Sequence, residues 1–138
     1  MPSYDPKSRQ KAVIAYDLAA AVTAGTTQGN DIDTQGFSHC AFYVVVGQIG
    51  AATTVDVSIK ETATAGSGHA TIVGAGITQI PNDGDDTVRC GQVNCLKHLR
   101  YLRPQVVVTG SNNADITVLA VLSNPETDDD LGTFDFDV

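Results

Sequence analysis

Closely spaced turn residues constrain this chain more than any other feature of its sequence. Gly, Asn, Asp and Pro interrupt it about every dozen residues, and the segments between them are rich in Val and Thr. No segment shows the apolar spacing of an amphipathic helix, which argues against an α/β protein. The sequence therefore predicts an all-β fold, an antiparallel β-sandwich or jelly roll of about seven to eight short strands with extended N- and C-terminal arms.

Period-two alternation and apolar runs predict the individual strands. Thr54–Thr62 alternates most clearly, with its β-branched side chains on one face. Cys40–Val46 is nearly all apolar, as expected of a strand covered on both faces, and Asp115–Leu122 shares this character. Leu99–Thr109 contains Pro104, which marks an edge or a bulge because proline cannot donate to a ladder. The other predicted strands are Val13–Ala21, a weak pair within Ala70–Ile80, and Thr87–Val93; the predicted loops and turns are Gly25–Gly36, Ala63–Gly68, Pro81–Asp86 and Gly110–Asn113.

Charge is distributed unevenly along the chain. The protein has 138 residues, the size of one domain, and a formal net charge of −8. Six acidic side chains and no basic ones lie in Asn124–Val138, so the rest of the chain is nearly neutral. We therefore expect an N-terminal arm (1–11), a β-sandwich domain (12–123) and an acidic C-terminal tail (124–138). The acid excess argues against direct nucleic-acid binding, and no apolar run approaches the roughly 18 residues of a membrane span.

The candidate chemical motifs lack the spacing that each type of site requires. Cys95 and His98 form one loose pair, whereas a structural zinc ion needs four converging ligands. Asp31–Gly36 is similar to the start of a calcium loop, but the twelfth position, which should be Glu, is Phe42. Ser67 has glycines on both sides but not the spacing of a nucleophile elbow. The sequence therefore predicts no enzyme, no cofactor and no bound metal.

The cysteines indicate the redox environment. Cys40, Cys90 and Cys95 are odd in number and too few for a disulfide scaffold. They predict free thiols, buried as small apolar groups, in a protein made in a reducing cytoplasm. Asp17 interrupts the apolar stretch near the N-terminus, so a cleaved signal peptide is not expected.

A basic segment and the acidic tail together suggest an assembly interface. Three basic side chains surround Tyr101, and the tail of a neighbouring copy is their electrostatic complement. Exposed ion pairs contribute only about 0–1 kcal/mol each, so apolar side chains of the tail would have to supply most of the affinity. The alternative is that the basic segment is a solvated strand face. The candidate interface residues are Lys97, Arg100, Tyr101, Arg103, Phe134, Phe136 and Val138, the last three alternating with Asp as in a short terminal strand.

Several segments, in order, resemble the small auxiliary head proteins of tailed bacteriophages, the capsid decoration or cement proteins. The similarity extends over roughly Asp17–Pro125 and includes no catalytic signature. The Gly-rich loop departs from it, because Thr62–Thr64 stand where many members show Asp residues. The segments are Ile32–Phe37, Ala41–Gly47, Val55–Glu61, Arg100–Arg103, Val106–Gly110 and Ala120–Pro125.

This resemblance implies a structural protein that binds the outside of an icosahedral shell and cements its capsomers non-covalently. The expected partners are the major capsid protein and further copies of the chain, with a homotrimer favoured, and neither nucleic acid nor membrane. The expected location is the outer capsid surface of the virion, after synthesis in the host cytoplasm. Arg100–Arg103 also resembles discoidin-like carbohydrate-binding sandwiches, so glycan binding on a virion or cell surface is the alternative, although the chain lacks Trp.

Overall fold

The computed structural model describes residues 10–16, 22–124 and 135–138, and all of their regular structure is β-strand. The strands form where β-branched residues alternate with polar ones between turns. They are β1 (Gln10–Tyr16), β2 (Gly25–Gln28), β3 (Ile32–Asp33), β4 (His39–Ile49), β5 (Thr53–Thr62), β6 (Ala70–Gly76), β7 (Val88–Asn94), β8 (Tyr101–Gly110), β9 (Ala114–Ser123) and β10 (Phe136–Asp137).

Two sheets pack face to face. The first sheet has the order β1-β9-β4-β7-β10, and the second has the order β2-β8-β5-β6, with β3 also paired to β8. The pairs are nested along the chain: β1 pairs with β9, β2 and β3 with β8, β4 with β7, and β5 with β6. All of these pairs are antiparallel, and only the short β10 runs parallel to its neighbour β7. The predicted all-β sandwich is confirmed.

The core lies between the sheets and is built from alternate residues of the long strands. Burial alternates residue by residue along β5, β8 and β9, so one face of each strand is inside. Removing these side chains from water is the main stabilising term of the fold. The largest fully buried side chains include Ile32, Phe42, Ile59, Ile80, Leu102, Ile116 and Leu122.

The expectation that Cys40–Val46 is covered on both faces is wrong for the described residues. Phe42 and Val44 are completely buried, but Tyr43 between them is only half-buried and Val45 is 43% exposed. Leu119 and Val121 of β9 likewise point outward and are half-buried. The continuous apolar run thus reflects two different faces, of which only one meets the opposite sheet.

Two further predictions about local structure are wrong. Gly25–Gly36 is not simply a loop, because it contains β2 and β3, which both pair along β8. Ala70–Ile80 is not a strand pair but the single strand β6, followed by an isolated bridge between Ile80 and Val55. In both places a long neighbouring strand supplies backbone hydrogen bonds that the local sequence does not reveal.

Pro104 lies in a central strand rather than at a sheet edge. β8 runs between β5 on one side and the two short strands β2 and β3 on the other. Pro104 pairs with Ile59 of β5, and its carbonyl accepts the Gly29 amide at 2.8 Å, at the break between β2 and β3. Pro104 has no amide hydrogen to donate, and it lies where the ladder of β8 with β2 and β3 is interrupted. A central strand can therefore contain this proline.

The C-terminal strand is anchored inside the same chain. Phe136 is only 6% exposed, and a Cβ atom on Gly91 of β7 would overlap its ring. The backbone continues the sheet, since the Val138 amide donates to the Gln92 carbonyl at 3.0 Å. The expectation that Phe136 and Val138 anchor a neighbouring molecule is therefore corrected, because they pack against this chain's own core. Phe134 lies outside the described residues.

The predicted N-terminal arm of residues 1–11 is also shortened. Gln10 and Lys11 belong to β1, where they pair with Ser123 and Leu122. Residues 1–9 lie outside the described residues.

Replacing Phe136 tests the intramolecular anchor. Phe136→Ala is expected to lower the free energy of unfolding by about 3 kcal/mol, because it empties a site lined by Gly91 and the core. Urea denaturation at several protein concentrations is the measurement, and the loss should not depend on concentration. Val73→Ala, at a residue 93% exposed on β6, is the control and should change little. A loss that appears only at high protein concentration would instead indicate an intermolecular anchor.

Candidate functional site

Charged side chains cluster where β8 begins and β5 ends. Arg100 donates from Nε and from a terminal nitrogen to the two carboxylate oxygens of Asp33, at 2.9 and 2.8 Å. These hydrogen bonds, with one from the Gln35 amide, lower the pKa of Asp33 to about 2. The Arg100 guanidinium also lies 5.1 Å from the centre of the Tyr101 ring, within cation–π range. The partner of Arg100 is thus an acid of its own chain.

A second acid in this cluster is held by the loop between β5 and β6. One oxygen of Asp31 lies 2.6 Å from Nε2 of His69, and the other accepts the Gly66 amide at 2.6 Å. Burial raises the pKa of the Asp31 carboxyl, but the hydrogen bonds from His69 and Gly66 outweigh it, so the net pKa is lowered. The His69 side chain is almost fully buried, which makes this contact more structural than the exposed pair of Arg100.

A third pair ties the turn after β7 to the end of β5. Glu61 lies 3.1 Å from Nδ1 of His98 and accepts the Leu99 amide at 2.8 Å. Three acids therefore connect three separate loops at one end of the sandwich. The cluster fixes loop positions, since each carboxylate is bonded to at least one group from a distant part of the chain.

The structure separates the residues predicted as one basic surface. Arg100 is paired with Asp33, and Tyr101 packs beside it. Lys97 is exposed in the turn after β7, and Arg103 points outward near the start of β8, on the same face as Tyr101. Within the described residues, Lys97 and Arg103 form no ion pair. The picture of one continuous basic strand is therefore corrected to one neutralised arginine and two separate cations.

The oxygens predicted as the start of a calcium loop are occupied by protein groups. Asp31 is bound to His69 and Gly66, and Asp33 is bound to Arg100. Across residues 10–16, 22–124 and 135–138, no three His, Cys, Asp or Glu side chains are grouped so that they could hold a metal ion.

A histidine hydrogen-bonded to a buried carboxylate is also the arrangement of a general base and its orienting acid. Ser67 is near in sequence, and its hydrogen bonds are made by the backbone: its amide donates to the Thr64 carbonyl and its carbonyl accepts the Thr62 hydroxyl. Among the described residues no hydrogen bond joins the Ser67 hydroxyl to His69. The pair of Asp31 and His69 connects the loop between β5 and β6 to the residues before β3.

All three cysteines are free thiols, as predicted. Cys40 and Cys95 are buried, while Cys90 is half-buried on the outward side of β7. Burial raises the pKa of Cys40 well above its usual value and that of Cys95 to about 11. These two thiols therefore stay protonated and unreactive at neutral pH.

The outer side of the first sheet carries an apolar face, which the sequence analysis did not identify. The register places Ile14, Leu119, Tyr43 and Cys90 in one row across four strands. Ile14, Val45 and Val88 are 52%, 43% and 61% exposed. The continuous apolar runs of β4 and β9 could have indicated this outward apolar surface, but they were interpreted as strands buried on both faces. We refer to this surface as the apolar face. Its outward residues are Ala12, Ile14, Ala41, Tyr43, Val45, Val88, Cys90, Thr117, Leu119 and Val121.

A polar cleft of about 550 Å³ lies where β4 turns into β5 and β8 turns into β9. The Asp85 carboxylate accepts the Ile49 amide at 2.7 Å at its wall. The lining contains no aromatic side chain, whereas sugar sites commonly stack the ligand on one. The lining residues are Gln48, Ile49, Gly50, Ala51, Asp85, Asn112, Asn113 and Asp115.

Comparison of the chain with protein-family models, with curated proteins and with solved structures gave no match. The part of the chain that the structure describes has no helix long and apolar enough to cross a membrane. The functional argument therefore depends on the surfaces described above.

Acid titration tests the Arg100–Asp33 pair. The folded pKa of Asp33 is about 2, below its ordinary value of 3.8, so the pair stabilises the folded protein above about pH 4 and loses this contribution as the pH falls through 2. Asp33→Asn should cost about 0.5 kcal/mol at pH 7, since the pair is half-exposed, and clearly less at pH 2, where about half of the carboxyl groups are protonated. Urea denaturation across pH is the measurement, with Asp83→Asn in an exposed turn as the control. A cost that is the same at both pH values would contradict the assignment.

Thiol labelling tests the burial of the cysteines. In the native protein at pH 8, a maleimide should modify Cys90 well before Cys40 and Cys95, because Cys90 alone is partly accessible. Peptide mass spectrometry over time gives the three rates, and labelling in urea should make them equal. Native labelling of Cys40 as fast as Cys90 would contradict the packing of β4.

Proposed function

We propose that this protein is a structural component of a tailed-phage head, which binds the outer surface of the shell and stabilises it without catalysis. The observation that carries the proposal is the apolar face. Antiparallel sheets that face water normally alternate apolar and polar side chains, whereas here most of the outward residues in the middle of four adjacent strands are also apolar, with Thr117 and Gln92 as exceptions. Contiguous exposed apolar surface of this kind marks a protein interaction site.

The nested strand order supports the same proposal. The first strand pairs with the ninth and the pairs continue inward, with β2 and β3 sharing the partner β8; this order supports the jelly-roll form of the predicted sandwich. Such a sandwich presents a sheet as a rigid platform, because β1, β9, β4 and β7 are joined by long ladders. A rigid platform suits adhesion, since little conformational entropy is lost when it docks.

The strength of such adhesion comes from repetition. Ile14, Val45 and Val88 each have about half of their side chain left to bury, which contributes roughly 1 kcal/mol per residue. One face is therefore a weak binder by itself. Copies linked in a symmetric oligomer, with a trimer favoured, bind a repeating shell together, because the second contact profits from the effective concentration set by the first.

Glycan binding has less support in the structure. The polar cleft beside Asp85 offers hydrogen-bonding groups but no aromatic platform. Tyr43 is the large aromatic side chain of the apolar face, and it is half-buried on the outward side of β4. A glycan-array screen remains the direct test of this alternative.

Charge placed on the apolar face tests the proposed function. Val45→Lys/Val88→Lys is expected to fold normally, because both side chains are exposed in the free protein, and to bind at least about tenfold more weakly to heads. The measurement is co-sedimentation with DNA-free heads assembled from the major capsid protein of the same phage. Val73→Lys, on the edge strand of the other sheet, is the matched control and should bind as the wild type does.

The outcomes separate the candidate functions. Loss of binding in the double variant alone supports docking through the apolar face. A wild-type protein that does not co-sediment with heads would overturn the proposal, and a specific glycan signal would then favour the alternative. Equal loss in the Val73→Lys control would show that the added charge acts through overall repulsion and not through the apolar face.

A further inference from the structure

Two cations face each other on the outer side of the second sheet. The register of β5 and β8 places Lys60 directly opposite Arg103, with Thr71 of β6 next to Lys60. Directly opposite residues in an antiparallel pair have Cβ atoms about 5 Å apart, and like charges in that position are destabilising. Within the described residues neither side chain forms an ion pair, although Arg103 interacts electrostatically with the Asp31 carboxylate.

Arg103 also has unused hydrogen-bonding capacity. Its Nε atom is shielded from solvent and has no hydrogen-bond partner. Asp31 is the acid whose pKa responds to Arg103, but both of its oxygens are occupied by His69 and Gly66. A buried donor without a partner costs free energy, which an added carboxylate would recover after a small rotation of the side chain.

Two carboxylates of the same chain are equally unpaired. Asp135 and Asp137 flank Phe136, whose ring points into the core, so both acids point away from the first sheet toward solvent. Both are exposed, and neither carboxylate forms an ion pair within the described residues. Residues two apart on a strand are about 7 Å apart, and the long side chains of Lys60 and Arg103, whose Cβ atoms are about 5 Å apart, can reach carboxylates at that spacing.

These acids and the cation pair are on opposite sides of one molecule. The acids are on β10, the edge strand of the first sheet, while the cation pair lies on the central strands of the second sheet and faces the other way. We propose that copies of this chain associate head to tail, with Asp135 and Asp137 of one copy bound to Lys60 and Arg103 of the next. The ligand of the cation pair is therefore a second copy of this chain.

Such a contact joins two different surface patches, so each copy can bind one neighbour through its acids and another through its cations. The assembly closes into a ring when the rotation between successive copies is a simple fraction of a full turn. The acids lie beside Cys90, so this contact meets the apolar face at its β10 border. The inference does not depend on the proposed function, since it concerns free copies in solution.

The contact is an orienting one and is sensitive to salt. Exposed ion pairs contribute about 0–1 kcal/mol each, and screening shortens their range to about 3 Å at 1 M salt. The complementary charges determine which surfaces of two copies meet. Uncharged surface around the ion pairs, buried in the same contact, supplies the rest of the binding free energy.

Reciprocal charge reversal tests the proposal in the full-length protein. We expect Lys60→Glu/Arg103→Glu and, separately, Asp135→Lys/Asp137→Lys to weaken self-association at low salt by at least about tenfold, since attraction becomes repulsion. The measurement is sedimentation velocity over a range of protein concentrations. Lys11→Glu/Lys97→Glu carries the same change in net charge as the first variant at two other unpaired cations, and it is the matched control.

Mixing the two reversed variants gives the deciding result. Each alone should be monomeric, but the mixture should form a complex, because the reversed cation pair of one faces the reversed acids of the other. The chain with all four reversals should regain self-association. A wild-type protein that is monomeric at low salt, or association that neither reversal weakens, or a mixture that stays monomeric would overturn the proposal. Thermal unfolding of each variant identifies any loss that results from misfolding.

Discussion

Burial of alternate side chains between two antiparallel sheets is the constraint on which the rest of the structure depends. Phe42 on β4 and Leu102 on β8 belong to different sheets, yet both are fully buried, because each strand turns one face toward the other sheet. A slip of one residue in any of these ladders would turn the apolar set outward. The fixed register in turn places Ile14, Leu119 and Tyr43 in one row outside the sheet, and Lys60 opposite Arg103 on the other side.

The two outer faces of the sandwich differ in chemistry as a result. The first sheet is apolar on both sides, so its outer side is suited to a protein partner. The second sheet is polar outside, with a hydrogen bond between Gln28 and Gln105 and the cations of Lys60 and Arg103. Its charged end is internally balanced, since Asp33 engages Arg100 and Glu61 engages His98. The surfaces available for binding a partner are therefore the exposed apolar residues of the first sheet and the charged groups that form no ion pair within the described residues.

The strands that alternate strongly were predictable from the sequence, and those that depend on a neighbour were not. Thr54–Thr62 matches β5 almost residue for residue, because a period of two leaves one face apolar whatever the partner is. β2 lacks any apolar residue, and it exists because β8 offers it a ladder. Pro104 was predicted to mark an edge or a bulge, but it lies in a central strand, beside the break between β2 and β3. Arg103 was named from the sequence as an interface residue, whereas Asp33 was not predicted as the partner of Arg100.

The sequence by itself determined the all-β class, the free cysteines and the concentration of acids near the C-terminus, because these follow from composition and local spacing. Only the tertiary structure decided which groups meet. Arg100 and Asp33 are 67 positions apart, and Phe136 reaches Gly91 through a parallel strand pair that no local pattern indicates. The physical reason is that ion pairs and packing depend on distances in space, which long-range strand register sets. The same register buries the aromatic ring of the C-terminal strand in its own core and leaves the adjacent acids exposed to solvent.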